Sequence, residues 1–350
     1  YQLKLSDDER TLLAYHLYEL KNINIKYFFH KYNCATLIYR ILAVAKGSAI
    51  NASDYWVTPS DVVRLVVNNN LVEKTVFYPS NAGRIKIGLD ALSDSPNILT
   101  QKKMTEWDLD LVASYGDREK EIYKFILNGY NGLLSEKGLQ SSEEYEGNKR
   151  SIGDRLGGDS EITIDVSNYK KPSDAPEDQQ LRVGLVDEDE HTYYRLGFLA
   201  AGHRLTDDNR SYFSENEISL GDLTLGVDLS GHKFFVDEFD LYSAKSYMPF
   251  DYFTKGKSGE ISLGFKRIKS SDGHDNNFFI NGGVGYALRL QPDMDLSAEL
   301  VSEAGSVDNW YFSVGYKAGL IVREVYSMKT VAEYSRLLGR YEDGEYSYNY

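Results

Sequence analysis

Hydrophobic positions along the chain change period partway through. Up to about residue 72 they follow helical spacing. Ser6 stands three residues before Glu9, a capping-box spacing, and predicts a helix with Leu12, Leu13, Leu17 and Leu20 on one apolar face. A second helix is predicted after Asn33, with Leu37, Ile38, Ile41, Leu42 and Ala45 repeating along it and Gly47 at its end. Thr58-Pro59-Ser60-Asp61 opens a third, VVRLVV, which Asn68 to Asn70 end. Within residues 73–90, TVFY and RIKIGL read as two strands joined by the turn-prone PSNAG. From Ile98 to Leu134 the spacing is helical again, carrying Trp107, Leu109, Leu111, Ile122, Ile126 and Leu127. The polar stretch SEKGLQSSEEYEGNKRSIGDRLGGDS after it reads as a linker or mobile loop.

Beyond about Glu161 the period is two. In NWYFSVGYKAGL, Trp310, Phe312, Val314, Tyr316, Ala318 and Leu320 alternate with Tyr311, Ser313, Gly315, Lys317 and Gly319. FFINGGVGYALRL, DMDLSAEL and EISLGF repeat the pattern, with short polar turns such as SDGHDN and QPD between strands. Such alternation fits a soluble antiparallel barrel or sandwich, or an outer-membrane barrel with apolar residues outward and small or polar residues inward. Strand length, with glycine and charge on the second face, favours the membrane barrel. So do the 28 tyrosines, which interfacial aromatic girdles would explain. About nine strands are expected. The glycines inside these strands are expected to let side chains pack across a narrow barrel rather than to cradle phosphate.

Charge narrows the class. A net charge of −14, with no run of lysine and arginine, excludes a nucleic-acid partner. No stretch is apolar enough for a transmembrane helix. The chain begins at Tyr1 and reads as a fragment, so the absence of a targeting segment carries no meaning.

Cys34 is the only cysteine, in YFFHKYNCATLIYR. At a helix start it would meet unpaired backbone N–H groups and the positive end of the dipole, features that favour an anion there. It equally fits a core position, three and four residues before Leu37 and Ile38. A thiolate nucleophile needs a base, normally histidine. His30 is a candidate, whereas His16 sits among leucines. No second cysteine or paired-histidine spacing predicts zinc, and no cofactor is expected.

HLYEL, YFFHKYNCATLIYRIL and WVTPSDVVRLV together resemble the carboxyl-terminal half of the Lnb N-terminal periplasmic domain family. That family has a permuted papain-like thiol fold related to NlpC-type cell-wall peptidases and lecithin-retinol-acyltransferase-like enzymes. Its NC at a helix start matches Asn33-Cys34, and its TP-x-D matches Thr58, Pro59 and Asp61. YYRLGFLAAGHRLTDDN, with His203 and Asp207, and FFVDEFDLYSAKSYMPFD resemble the domain that follows in Gram-negative members. The resemblance implies acyl transfer to a lipoprotein amino terminus through a Cys34 thioester, with a histidine as base and helix-start N–H groups near Asn33 as oxyanion hole. In the family's fold that histidine lies on an upstream strand. The residues before Cys34 read as helix and loop, so the histidine is expected before residue 1. Members with known acyltransferase activity carry transmembrane helices where this chain has strands.

The fold class expected is α+β: the carboxyl-terminal half of a papain-like thiol domain (1–90), a helical connector and linker (91–160), and an antiparallel barrel of outer-membrane type (161–350). His203 to Asp208 reads as a solvated turn, and Asp237, Glu238 and Asp240 as lumen-facing or simply polar. The expected function is a cell-envelope acyl transferase or hydrolase acting on lipoprotein, phospholipid or peptidoglycan. The alternatives are a cell-wall amidase or endopeptidase using the same thiol, and a non-enzymatic barrel whose first domain binds a periplasmic partner.

Overall fold

The computed structural model describes residues 1–28, 32–47, 57–92, 98–157, 164, 166, 169–188, 191–212, 214–228, 233–270, 273–306, 310–325, 328–342 and 345–347. They form two compact units, one of Tyr1–Tyr78 with Lys170–Ala175, the other of Pro79–Tyr169 with Pro176–Tyr350.

In the first unit, a two-stranded ribbon, β1 (Gln2–Leu3) and β2 (Val72–Lys74), accompanies helices α1 (Asp7–Glu19), α2 (Cys34–Lys46) and α3 (Pro59–Asn68). The predicted starts hold. Ser6 and Glu9 form a capping box, as do Thr58 and Asp61, and Asn33 caps α2. Lys46 pairs with Glu9 at 2.7 Å, tying the end of α2 to the start of α1. The core is small: Ala35, Tyr39 and Val62 are buried, with Leu42, Ala43, Val57, Leu65 and Leu71 against them. The predicted faces differ in detail. α1 buries no residue, leaving Leu12 and Leu17 about half exposed, and Ile38 is on the outer side of α2.

The second unit opens with helices α4 (Asn81–Ala91), α5 (Ile98–Thr105), α6 (Leu109–Ala113), α7 (Asp117–Glu136) and α8 (Ser142–Leu156). Two expectations fail here. RIKIGL belongs to α4, whose Gly83, Ile85, Ile87 and Gly88 are all buried, and β2 ends before TVFY. Gly88 and Gly129 let α4 and α7 approach closely: a Cβ on Gly88 would lie 2.3 Å from Ile126. The expected linker is α8, started by a Ser141–Glu144 capping box and packed through Ile152 and Leu156.

Among the described residues ten strands follow in one antiparallel sheet whose order is the chain order, against about nine expected. They are β3 (Gln180–Glu188), β4 (His191–His203), β5 (Glu215–Asp228), β6 (Lys233–Tyr247), β7 (Ser258–Ser270), β8 (Gly273–Gln291), β9 (Met294–Ser306), β10 (Trp310–Val325), β11 (Met328–Glu342) and β12 (Glu345–Ser347). Most of SDGHDN is strand, because pairing of β7 with β8 runs to Ser270 and Gly273.

The sheet is strongly curled. Arg323 on β10 reaches Glu215 on β5 at 3.2 Å, although five strand spacings of about 4.8 Å would part them by roughly 24 Å in a flat sheet. Tyr247 on β6 likewise donates to Glu333 on β11 at 2.7 Å.

The two faces of this curl differ in character. Its concave side buries charge: Asp222, Asp295, Glu299, Glu303 and Lys317 are each 8 % exposed or less. Lys317 bridges Glu260 at 2.6 Å and Glu333 at 2.7 Å, and Lys266 bridges Glu303 at 2.6 Å. Its convex side displays Leu181, Phe198, Val284, Leu300, Phe312 and Tyr334. Glycines make room for inward side chains, as expected: a Cβ on Gly226 would lie 2.1 Å from the Phe235 ring, and one on Gly305 2.5 Å from the Tyr311 hydroxyl.

The β6–β7 connection of this curl meets the helices. Phe253, from the β6–β7 loop, enters the helical core and meets Tyr130 edge-on at 5.4 Å. The Gln101 side chain accepts from the Tyr252 amide at 3.1 Å.

Candidate functional site

Cys34 is the first residue of α2, and Asn33 places it there. Asn33 is extended (φ −86°, ψ −178°) and 7 % exposed. Its side-chain oxygen accepts from the Thr36 amide at 2.9 Å and the Thr36 hydroxyl at 3.1 Å, and its Nδ2 donates to the Val57 carbonyl at 2.9 Å. The cap is thus tied to the strand-like approach to α3. The Asn33 backbone carbonyl accepts from Leu37. Asn33 takes the Thr36 amide, and the amides of Cys34 and Ala35 stand in the same first turn, where backbone donors can meet an anion.

Cys34 itself is exposed. The core position that its spacing also allowed is filled instead by Ala35, 1 % exposed, and Tyr39. The reason is rotational: on α2 the buried direction runs through Ala35 and Tyr39, four residues apart, which turns Cys34 and Ile38 outward.

Beside the helix start is a cleft of about 240 Å³, lined by His16, Leu20, Tyr32, Asn33, Thr36 and Arg40 among others. The Arg40 guanidinium lies 4.8 Å above the Tyr32 ring. His16, expected among leucines, faces this cleft and has Glu19 3.8 Å from its Nδ1. Thr36, Arg40 and Tyr32 were not singled out from sequence; the N-C-A-T spacing, which puts Thr36 at the third position after the cap, is the signal for the first of them. His30 lies outside the described residues.

The other candidates belong to the second unit. His203 ends β4, is 7 % exposed, bonds Asn216 and stacks on Tyr212 at 4.3 Å. The loop after it is built rather than merely solvated. Asp207 accepts from the Arg204 amide and from Gln180, both at 2.7 Å, Arg204 pairs with Asp222, and Leu205 is buried. Asp237 faces inward onto Arg195, while Glu238 is exposed.

Comparison with known families fits this division. Residues 1–69 match the Lnb N-terminal periplasmic domain, and residues 169–349, more than half of the chain, match a domain of unknown function, DUF7840. No curated protein and no solved structure matches the chain. With the curled antiparallel sheet filling the second match and the Asn33-Cys34 helix start inside the first, the chain belongs to the DUF7840 family and is a cell-envelope protein that carries an Lnb N-terminal periplasmic domain.

Proposed function

We propose that this protein is a thiol-dependent acyl transferase or hydrolase of the cell envelope, held in the outer membrane by its sheet. The observation that carries the chemistry is the exposed Cys34 at a helix start whose cap, Asn33, is itself buried and bonded through its side chain to Thr36 and Val57. In the proposed reaction the Cys34 thiolate attacks the carbonyl of an acyl donor, a lipoprotein, phospholipid or peptidoglycan. The Cys34 and Ala35 amides hold the developing oxyanion, and a thioester forms as the donor's alcohol or amine leaves with the proton that the base took from the Cys34 thiol. An amine acceptor gives transfer; water gives hydrolysis. His30 is the base that the sequence offers, and the family's fold would place one upstream.

The inverted faces of the sheet support the membrane anchor. In water, burying ion pairs while exposing leucine and phenylalanine is the reverse of what the hydrophobic effect rewards. In a bilayer it is what a spanning barrel does. On β8 the outward residues from Phe278 to Leu290 cover twelve rises of about 3.4 Å, which at a tilt near 40° is roughly 30 Å of height, close to a bilayer's apolar thickness. Phe265, Phe278 and Trp310 stack edge to face in a row near the far ends of their strands, as a girdle does. Such a span also requires β3 to pair with the last strand, since an open edge is not tolerated in lipid. No helix among the described residues is long and apolar enough to cross a membrane.

The test is the full-length gene product in detergent, incubated with diacylated lipopeptide, phospholipid or peptidoglycan fragments and followed by mass spectrometry. An acyl adduct on Cys34, absent in Cys34→Ala, is expected. A released stem peptide without an adduct would give the amidase reading. Turnover undiminished in Cys34→Ala would end the thiol mechanism, and neither adduct nor turnover in the wild type would leave the non-enzymatic barrel.

A further inference from the structure

With Lys46 at the end of α2 bound to Glu9 at the start of α1, the two packed helices run antiparallel. The end of α1 therefore comes beside the start of α2, and the cleft of about 240 Å³ lies there. Leu20, Ile25, Leu37 and Ile41 give it an aliphatic lining. Among the described residues no carboxylate lines it, and its one full cation is Arg40; Glu19 stands outside the lining, beside His16.

Arg40 comes six residues after Cys34, about 9 Å along the helix axis. Its charged head does not stay at that level. Helix side chains lean towards the amino terminus, and the guanidinium lies 4.8 Å above the ring of Tyr32, two residues before Cys34. The charge is thereby carried back towards the helix start, and the contact with the ring holds it there. A guanidinium over a ring keeps its N–H donors for other partners. Among the described residues those of Arg40 meet no carboxylate and give no hydrogen bond. Arg64, on α3 of the same unit, spends its own on Asp61 at 3.5 Å and on the Ala175 carbonyl at 3.0 Å.

An aliphatic recess, an unspent arginine and a thiol at one helix start fit an amphiphile whose anion is a few bonds from the carbonyl under attack. Of the donors named above, a phospholipid has that order: acyl chain, ester carbonyl, then a phosphate on the neighbouring glycerol carbon. In a diacylated lipopeptide no phosphate follows the ester, and a stem peptide brings no hydrocarbon chain to cover the leucines and isoleucines. We propose that Arg40 selects the acyl donor, binding the phosphate of a phospholipid while an acyl chain enters the aliphatic cleft. This rests on the Cys34 thioester reading. The phosphodiester offers two oxygens to the guanidinium fork. The covalent step is unchanged: the Cys34 sulfur takes the acyl group, and the lysophospholipid alcohol leaves with the proton from the thiol. Arg40 touches only the phosphate.

The experiment compares two donors with the same acyl chains, phosphatidylglycerol and diacylglycerol, on the full-length protein in detergent, following the Cys34 acyl adduct by mass spectrometry. The ratio of their acylation rates is read within each variant, so a loss of folded protein cancels. In the wild type the ratio is expected to favour phosphatidylglycerol about tenfold or more, as for a charge-assisted hydrogen bond. Arg40→Met should bring the ratio towards one. Arg40→Lys, which keeps a point charge without the fork, should give a value between. Equal rates from both donors in the wild type, or a ratio unchanged in Arg40→Met, overturn the role of Arg40 and leave the thiol mechanism standing. So does an adduct formed from lipopeptide or stem-peptide fragments but not from phosphatidylglycerol. No adduct from any donor ends both readings. The wild-type ratio and Arg40→Lys decide the matter where Arg40→Met fails to fold.

Discussion

Asn33 does two jobs that can be separated by substitution. Asn33→Ala removes the cap of α2 and the bond to Val57, and is expected to cost about 1–3 kcal/mol in urea unfolding. Asn33→Asp keeps an acceptor for the Thr36 amide but replaces the Nδ2 donor with a negative charge facing the Val57 carbonyl. It also sets that charge beside Cys34, opposing a thiolate. The expected result is slower alkylation of native Cys34 by iodoacetamide than in wild type. Equal rates would show that the helix start does not act on the thiol. This part of the site was legible because caps are local: Ser6–Glu9, Asn33 and Thr58–Asp61 each declare themselves within four residues. Whether Cys34 faces solvent or core was not, since that depends on the direction from which α3 and Leu71 approach α2.

Among the elements, α4 and α8 show where pattern misleads. Ile85 and Ile87 alternate as in a strand, yet both are buried because α4 packs against α7 on a broad face with glycine at the contacts. Periodicity of two and burial on a wide helix face look alike over six residues. In α8 the low apolar content suggested a linker, but Ser141-x-x-Glu144 was a readable start and Ile152 and Leu156 sit at i, i+4. The helix matters to the fold: Ile152 is 1 % exposed in the core that also holds Met104, Val112 and Ile126. Ile152→Ala is expected to destabilise by about 2–4 kcal/mol, and Ser141→Ala by about 1 kcal/mol. A change near zero for both, by thermal unfolding, would mean that α8 is not part of the cooperative unit.

At the scale of the whole molecule the alternation of the second half was fully legible, because a period of two records which residues share a face whatever the surroundings. Which face is inside was legible only through the small and charged residues, and the pairing of Arg323 with Glu215 not at all, since the two meet only when the sheet curls. The interior now makes one expectation firm. Lys317 is 8 % exposed between Glu260 and Glu333, so Lys317→Met leaves the buried Glu260 carboxylate without its cation and is expected to cost about 3–5 kcal/mol. The outer face offers the sharper test. Leu300 is 72 % exposed, and pairing places it midway along the strands, between Val284 and Tyr316. In water an exposed leucine exchanged for lysine changes stability by less than about 0.5 kcal/mol. At the middle of a bilayer the same exchange costs about 2–4 kcal/mol, because the ammonium must leave water or thin the lipid to reach it. Leu300→Lys should therefore destabilise the protein in phospholipid vesicles, read as a lower urea midpoint, while Trp310→Lys near the strand end costs less, since charge is tolerated close to the interface. Equal and negligible effects at the two positions would place the convex face in water or against protein, and the anchor would have to be sought elsewhere.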